Sequence, residues 1–253
     1  MRRVADLLEA LEEIAPVRGA EPWDNVGLLC GSAEGVVLSA AAALDASEEA
    51  VRQAAARGDG ALIVHHPLIF SPLKAVTLDT PLGRTIAASL ALGVSVVAAH
   101  TNWDRAEKGL NCVLGSLLGL CHVMPLVPAS EAGIYGDGLV GELPEPMEFQ
   151  AFEAWVREAW GLSWAQGYRK EEKTLVRRVA LVGGAGGSFR DAALTAKADL
   201  FITADVRYHE RLDALSRGLS LLVVDHGEME AASLPFLAER LQERSGVAVR
   251  LLQ

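Results

Sequence analysis

Short apolar runs alternate with amphipathic segments along most of the chain. The runs Gly35–Leu44, Ala61–Val64 and Val94–Ala99 consist largely of small, β-branched and aliphatic residues, a composition typical of buried strands. The segments between them place apolar residues at helical spacing. A strand, a helix and a second strand form a βαβ unit, so this order predicts a mainly parallel sheet with right-handed crossovers.

Residues that favour helix starts stand at the expected boundaries. Ser47 precedes two glutamates, which predicts a helix amino terminus at that point. Pro81 is suited to the first turn of a helix over residues 82–92. The segment Met1–Pro16 has apolar residues at helical spacing among Asp and Glu residues. It predicts an amphipathic helix, and neither a signal peptide nor a membrane span.

The second half of the chain repeats the plan of the first. Segments Arg178–Ser188, Lys197–Asp205 and Gly218–His226 parallel Val36–Ser47, Gly58–His65 and Gly93–His100. This similarity predicts two halves related by a pseudo-twofold, and the proline- and glycine-rich stretch between them predicts a connecting subdomain. The expected fold is α/β, with two similar βαβ-rich halves, mainly parallel sheets and the active site in the cleft between the halves. The expected bounds are 1–120 for the first half, 121–173 for the connecting subdomain and 174–253 for the second half.

Polar side chains collect where the predicted strands end. Because ligands of open α/β sheets bind at the carboxyl ends of the strands, these side chains indicate a site. They are His65, His66, His100 and Asp104 in the first half, and Asp205, His209, His226 and Glu230 in the second. Such a mixed set exceeds what one tetrahedral zinc needs, so it predicts two metal ions about 3.5 Å apart. The ligand types favour zinc, iron, manganese, cobalt or nickel.

The net charge and the cysteines limit which functions and locations the sequence supports. The 253 residues carry a formal net charge of −10, which argues against a broad duplex-binding face and suits cation binding better. The three cysteines show no Cys-x-x-Cys spacing and are interpreted as core residues. Their number and surroundings favour a cytoplasmic protein.

The glycine-rich stretch Gly183–Ser188 has two interpretations. Glycines between a strand and a helix can cradle a phosphate with backbone N–H groups. Its match to Gly-x-Gly-x-x-Gly is imperfect, and no Lys-Ser/Thr follows. A tight structural turn is at least as well supported. Phosphate binding is therefore a secondary prediction.

Several motifs in order along the chain resemble those of the NIF-three-like proteins, which many genomes label GTP cyclohydrolase I type 2 homologues. The motifs are Pro22–Leu28, Ala43–Ser47, Val64–Phe70, His100–Asp104, Gly183–Ser188 and Thr203–His209. The resemblance implies two similar α/β halves, a dinuclear metal site and a toroidal homohexamer. It also implies that the metal ligands are His65, His66, Asp104, His226 and Glu230, with His100 and His209 close by.

The last motif departs from the usual Gly-His-x-x-x-Glu of that family. Here Asp225 precedes the histidine and Gly227 follows it. Alignment by the glycine would put Glu228 in the ligand place and lose the imidazole. Alignment by His226 and Glu230 keeps both ligands and gives the following helix a coherent apolar face, so we adopt it.

These observations favour a metal-dependent hydrolase, in which His100 and His209 carry protons. The resemblance implies ring opening or phosphoester hydrolysis of a nucleotide-like, phosphorylated small molecule, although no motif here recognises guanine. The alternative is a metal-binding hexameric scaffold or regulatory protein that acts through protein or nucleic-acid partners. A nucleic-acid partner is disfavoured by the charge, and no membrane association is expected.

Overall fold

The computed structural model describes residues 1–129, 135–169 and 174–252. Its helices are α1 (Val4–Ile14), α2 (Glu48–Ala56), α3 (Pro81–Leu92), α4 (Thr101–Asp104), α5 (Leu110–Leu117), α6 (Phe149–Trp160), α7 (Arg190–Thr195), α8 (Tyr208–Ser216), α9 (His226–Ala231) and α10 (Leu234–Ser245). Its strands are β1 (Gly27–Cys30), β2 (Ser39–Ala43), β3 (Ala61–Val64), β4 (Ser95–Ala98), β5 (Cys121–Met124), β6 (Val127–Pro128), β7 (Gly136–Asp137), β8 (Leu139–Glu148), β9 (Ala165–Tyr168), β10 (Leu175–Leu181), β11 (Leu200–Thr203), β12 (Ser220–Val224) and β13 (Ala248–Leu251). The predicted interleaving of helices and strands is confirmed.

The first of two compact units consists of Met1–Ala106 and Leu234–Gln253. Its sheet has the order β1-β4-β3-β2-β13. Three of the neighbouring pairs are parallel, and only β1 with β4 is antiparallel. Every residue of β3 and β4 is buried, as expected for strands covered on both faces. The predicted mainly parallel sheet is confirmed for this unit.

Helix starts in this unit follow the capping residues of the sequence. The Ser47 side chain accepts a hydrogen bond from the Ala50 N–H and begins α2. Thr80 accepts from the Gly83 N–H, and Pro81 follows it as the first residue of α3. Each cap satisfies a backbone donor that the first turn of a helix leaves open. Both predicted helix starts are confirmed.

The second unit, Glu107–Ser233, contains a sheet of order β5-β8-β10-β11-β12-β9. Its centre, β10-β11-β12, is parallel and matches the predicted repeat. Three antiparallel pairings flank that centre, β5 with β8, β8 with β10 and β12 with β9. The prediction of a mainly parallel sheet therefore holds only for the centre of this sheet.

The two compact units do not have the predicted bounds, which divided the chain after residue 120 and after residue 173. The described residues of 121–168 do not stand apart as a connecting subdomain, because their strands β5, β8 and β9 complete the sheet of the second unit. The end of the chain returns to the first unit, where β13 pairs with β2. Long-range strand pairing thus overrides the change in composition that suggested the bounds. Among the described residues, no helix combines the length and apolar content needed to cross a bilayer.

Candidate metal centre

The carboxyl end of β3 carries two histidines with different surroundings. His65 is 1% exposed, and its Nδ1 lies 2.9 Å from the carbonyl oxygen of Ala99, at the end of β4. The His66 Nδ1 lies 2.8 Å from Asp45 Oδ1, just beyond β2. Carbonyl and carboxylate oxygens only accept, so both Nδ1 atoms donate. In the neutral ring, the lone pair of each imidazole is therefore on Nε2.

His100 follows β4 and is oriented in the same way. Its Nδ1 donates to Asp24 Oδ1 at 2.9 Å. Oδ2 of Asp24 accepts from the Thr101 N–H at 3.1 Å and from the Thr101 hydroxyl at 2.5 Å. Burial opposes ionisation of Asp24, but the hydrogen bonds from His100 and Thr101 prevail and lower the pKa of its carboxyl to about 2. Asp24 is thus a fixed anion behind His100.

The three imidazoles form one group. Their ring centroids are separated by 5.2 Å for His65 and His66, 5.1 Å for His65 and His100, and 5.8 Å for His66 and His100. One ligand atom from each lies within 4.8 Å of the others. Asp104 joins the group from α4, with Oδ1 3.7 Å from Nε2 of His65. Imidazole and carboxylate donors at such distances fit a transition-metal ion.

A cavity of about 330 Å³ adjoins this group. His66 and Asp45 lie in its wall, together with Glu48 and Arg84. The Arg84 Nε lies 3.3 Å from Glu48 Oε2, so these two opposite charges are paired. The cavity offers space for part of a small ligand beside His66.

In the second unit, α9 brings a histidine and a carboxylate together. Asp225 caps α9 by accepting from the Glu228 N–H, and the helix then places His226 and Glu230 on one face. The His226 Nε2 lies 3.0 Å from Glu230 Oε1, and the Glu230 side chain is 4% exposed. Behind it, the His226 Nδ1 lies 2.6 Å from Asp205 Oδ2.

The surroundings of His226 resemble a cation site. The hydrogen bond to Glu230 outweighs burial and, together with the charge of Glu230 and with Asp205, raises the pKa of His226 to about 9. The imidazolium is therefore held between two carboxylates. A metal ion at Nε2 would replace the proton there, so binding would release a proton below about pH 9.

The geometry of α9 supports the sequence alignment chosen for the last motif. Glu230 contacts His226, whereas the Glu228 carboxylate accepts a hydrogen bond from the Ser163 N–H at 2.7 Å. The apolar face expected after this motif is confirmed, because Leu234, Leu237 and Leu241 of α10 are buried.

The glycine-rich loop leaves space for the carboxylate of Glu230. At Gly184, which has φ +66°, a Cβ would lie 2.5 Å from Glu230 Oε1 and 3.3 Å from His226 Nε2. The Gly183 N–H donates to the Asn111 side chain and the Gly186 N–H donates to the Thr203 hydroxyl. These two donors are used within the protein, which supports the structural turn; phosphate binding by the loop stays a secondary prediction.

The sequence pattern did not indicate one orienting carboxylate, and it left two others without a defined partner. Asp45 received no role, although it follows an apolar strand just as the histidines do. Asp24 appeared only within the motif Pro22–Leu28, and Asp205 among the polar residues at strand ends, without its contact to His226. His209 lies exposed in the first turn of α8, 5.3 Å from the Tyr208 ring. Its role as a proton carrier stays a prediction.

Comparison with known proteins identifies the family. A family model described as Duf34/NIF3 (NGG1p interacting factor 3) matches residues 2–253. The chain belongs to this family. The resemblance noted in the sequence motifs is therefore confirmed.

Curated and solved members of the NIF3 family align over nearly the whole chain. A protein of Clostridium perfringens named GTP cyclohydrolase 1 type 2 homolog is 34% identical over 245 residues, which are 96% of this chain and 92% of the relative. A Streptomyces coelicolor protein of the same name is 33% identical over 252 residues, 95% of this chain and 88% of the relative. The crystal structure of a Bacillus cereus protein related to NIF3 has a TM-score of 0.92 at 23% identity, covering 99% of this chain and 96% of that chain. The last comparison confirms the α/β fold.

The anion behind His100 should contribute to the stability of this NIF3-family protein. Folding lowers the pKa of Asp24 from 3.8 to about 2. The ionised carboxylate therefore stabilises the fold at pH values above 3.8. This stabilisation is lost as the pH falls through the folded-state pKa of about 2. Asp24→Asn should reduce the free energy of unfolding by about 2 kcal/mol at neutral pH. Urea unfolding of the metal-free protein over a pH series measures this.

The difference between Asp24→Asn and the wild type should shrink as the pH falls below 3.8. Asp79→Asn, at an exposed carboxyl, is the matched control and should change little. A constant deficit at every pH would contradict the assigned role of the Asp24 charge.

The space kept at Gly184 can be tested separately from its backbone strain. Gly161 has a similar positive φ of +68°, and a Cβ there meets nothing within 4 Å. Gly161→Ala should therefore cost only the strain of about 1–2 kcal/mol. Gly184→Ala should cost at least about 1 kcal/mol more because it also displaces Glu230. Equal losses in urea unfolding would show that Gly184 is required only for its backbone conformation.

Proposed function

We propose that this chain is a metal-dependent hydrolase that holds two divalent transition-metal ions through His65, His66, Asp104, His226 and Glu230. The observation that carries the proposal is the common orientation of the imidazoles. His65, His66 and His226 each donate Nδ1–H to an oxygen of the protein, which leaves Nε2 as the ligand atom. Metal-binding histidines are usually held in this way.

The donor set fits a borderline transition metal better than a hard cation. Calcium and magnesium favour oxygen ligands, whereas imidazole suits zinc, iron, cobalt and nickel. Bound ions of this kind supply Lewis-acid activation of water near neutral pH. The carboxylates of Asp104 and Glu230 balance the added positive charge. His226 must give up the proton that it shares with Glu230 before its Nε2 can bind a metal.

His100 is proposed to move protons beside the bound ions. Its Nε2 is the exchangeable position because Nδ1 is engaged with Asp24. The ionised Asp24 stabilises the imidazolium that forms when His100 accepts a proton. His209 is proposed as the corresponding proton carrier in the second unit. His100 also belongs to the group of possible ligands with His65 and His66.

The substrate proposed is a nucleotide-like, phosphorylated small molecule. The name of the relatives, GTP cyclohydrolase 1 type 2 homolog, suggests hydrolytic opening of the guanine imidazole ring of GTP with loss of formate. The cavity beside His66 gives room for part of such a molecule. The predicted homohexamer, the cytoplasmic location and the placement of the active site between the halves stay predictions from the sequence.

Metal content and turnover together test this proposal. The reconstituted protein should bind two ions per chain and release formate from GTP, or phosphate from a phosphoester, only when loaded with metal. His65→Ala and Glu230→Ala should lose metal and turnover. Asp45→Ala should weaken metal binding by about 10- to 100-fold because it removes the acceptor behind His66. Plasma emission spectrometry and product assays provide the readouts.

His122→Ala is the control for removal of a histidine, since His122 lies exposed on β5. It should keep metal and turnover. Turnover that survives both His65→Ala and Glu230→Ala would refute the assigned ligands. Two bound ions without turnover of any tested substrate would refute the hydrolase and favour the metal-binding scaffold.

A further inference from the structure

Two aromatic side chains border the histidine group of the first unit and remain largely exposed. Trp23 is 57% exposed and Phe70 is 54% exposed. Their ring centroids lie 5.7 Å apart with an interplanar angle of 49°. Trp23 also meets the edge of the His100 ring, at 6.2 Å and 74°. The aromatic pair thus extends the imidazole group with an exposed π surface.

The hydrogen bonds that orient His100 also fix the aromatic pair. Trp23 directly precedes Asp24, which accepts hydrogen bonds from His100 and Thr101. The Asn25 side chain donates to the Ile69 carbonyl oxygen at 2.5 Å, and Phe70 follows Ile69. The two loops are therefore tied together beside the site. A surface held in place in this way loses little conformational entropy when a ligand binds.

Neither ring belongs to the apolar core cluster of the first unit. The core cluster of the first unit consists of residues such as Leu62, Val64 and Val96, all fully buried, whereas Trp23 and Phe70 keep more than half of their surface accessible. Trp23 contacts His100 and Phe70 contacts Trp23, so the pair lies next to the histidine group. Aromatic faces bind planar heterocycles by stacking, without sequence-specific hydrogen bonds.

We infer that Trp23 and Phe70 bind the planar heteroaromatic ring of the substrate by stacking and hold that ring beside His100. This inference rests on the proposed function and names the part of the substrate that the first unit recognises. A purine fits because its flat face needs no charged partner, which suits an acidic protein. Stacking on one aromatic residue contributes about 5- to 150-fold in affinity.

Binding of guanosine monophosphate, measured by titration calorimetry, tests the inference without requiring turnover. Trp23→Leu and Phe70→Leu should each weaken binding by about 5- to 150-fold, with and without metal. Trp23→Phe should retain most of the affinity because it keeps an aromatic face. Ribose 5-phosphate, which has no base, should bind Trp23→Leu and wild type equally. Trp164→Leu, at a tryptophan that is 48% exposed in the second unit, is the matched control and should bind as wild type.

The outcomes separate this inference from the hydrolase proposal. Binding that depends on Trp23 without turnover of any substrate would support stacking and refute the hydrolase. Turnover with an unchanged KM in Trp23→Leu would refute stacking alone. Absence of guanosine monophosphate binding to the wild type would also overturn the inference. So would a Trp23→Leu variant whose mass in light scattering falls while its affinity is unchanged, since the pair would then be a contact between copies of the chain.

Discussion

The candidate site depends on one repeated interaction, a hydrogen bond from an imidazole Nδ1 to an oxygen acceptor of the protein. His65 uses the Ala99 carbonyl, His66 uses Asp45, His100 uses Asp24, and His226 uses Asp205. Each bond fixes the ring orientation and, in the neutral ring, the tautomer that leaves Nε2 available as a ligand atom. Without these acceptors, the imidazoles could rotate and either nitrogen could carry the proton.

The parallel strands explain why the acceptors are in reach. The acceptors of His65 and His66 follow β4 and β2, the neighbours of β3 on either side. Because the parallel strands end at the same edge, residues far apart in sequence become neighbours. Buried strands hold these ends rigidly. The loops that follow the strands can therefore hold polar side chains. At Asp205, the backbone also adopts a φ of +52°, which few residues other than glycine adopt.

The sequence predicted the parts of the fold that depend on local pattern. Apolar runs located β2, β3 and β4, and Ser47 and Pro81 marked helix starts correctly, because capping and burial act within a few residues. Strand pairing over long distances was not predictable in this way. The return of β13 to β2, and the antiparallel strands that flank β10–β12, depend on contacts that no local pattern encodes.

The candidate site was likewise predictable only where a local pattern in the sequence indicated it. Its histidines were found because adjacent imidazoles at the end of an apolar strand are unusual, and the spacing of His226 and Glu230 identified a shared helix face. The role of Asp45 was missed because a single aspartate after a strand is common in turns. Its significance comes from the distance to His66, which only the folded chain shows. The space at Gly184 is equally invisible in the sequence, where the glycines suggested a structural turn or, as a secondary prediction, a phosphate cradle.

Anomalous diffraction from crystals of the metal-loaded protein, collected at the absorption edge of the bound metal, tests the central claim most directly. Peaks are expected about 2.1 Å from Nε2 of His65, His66 and His226, with each Nδ1 still bonded to its oxygen acceptor. Peaks at Nδ1, or no peak beside these imidazoles in a protein loaded with metal, would contradict it.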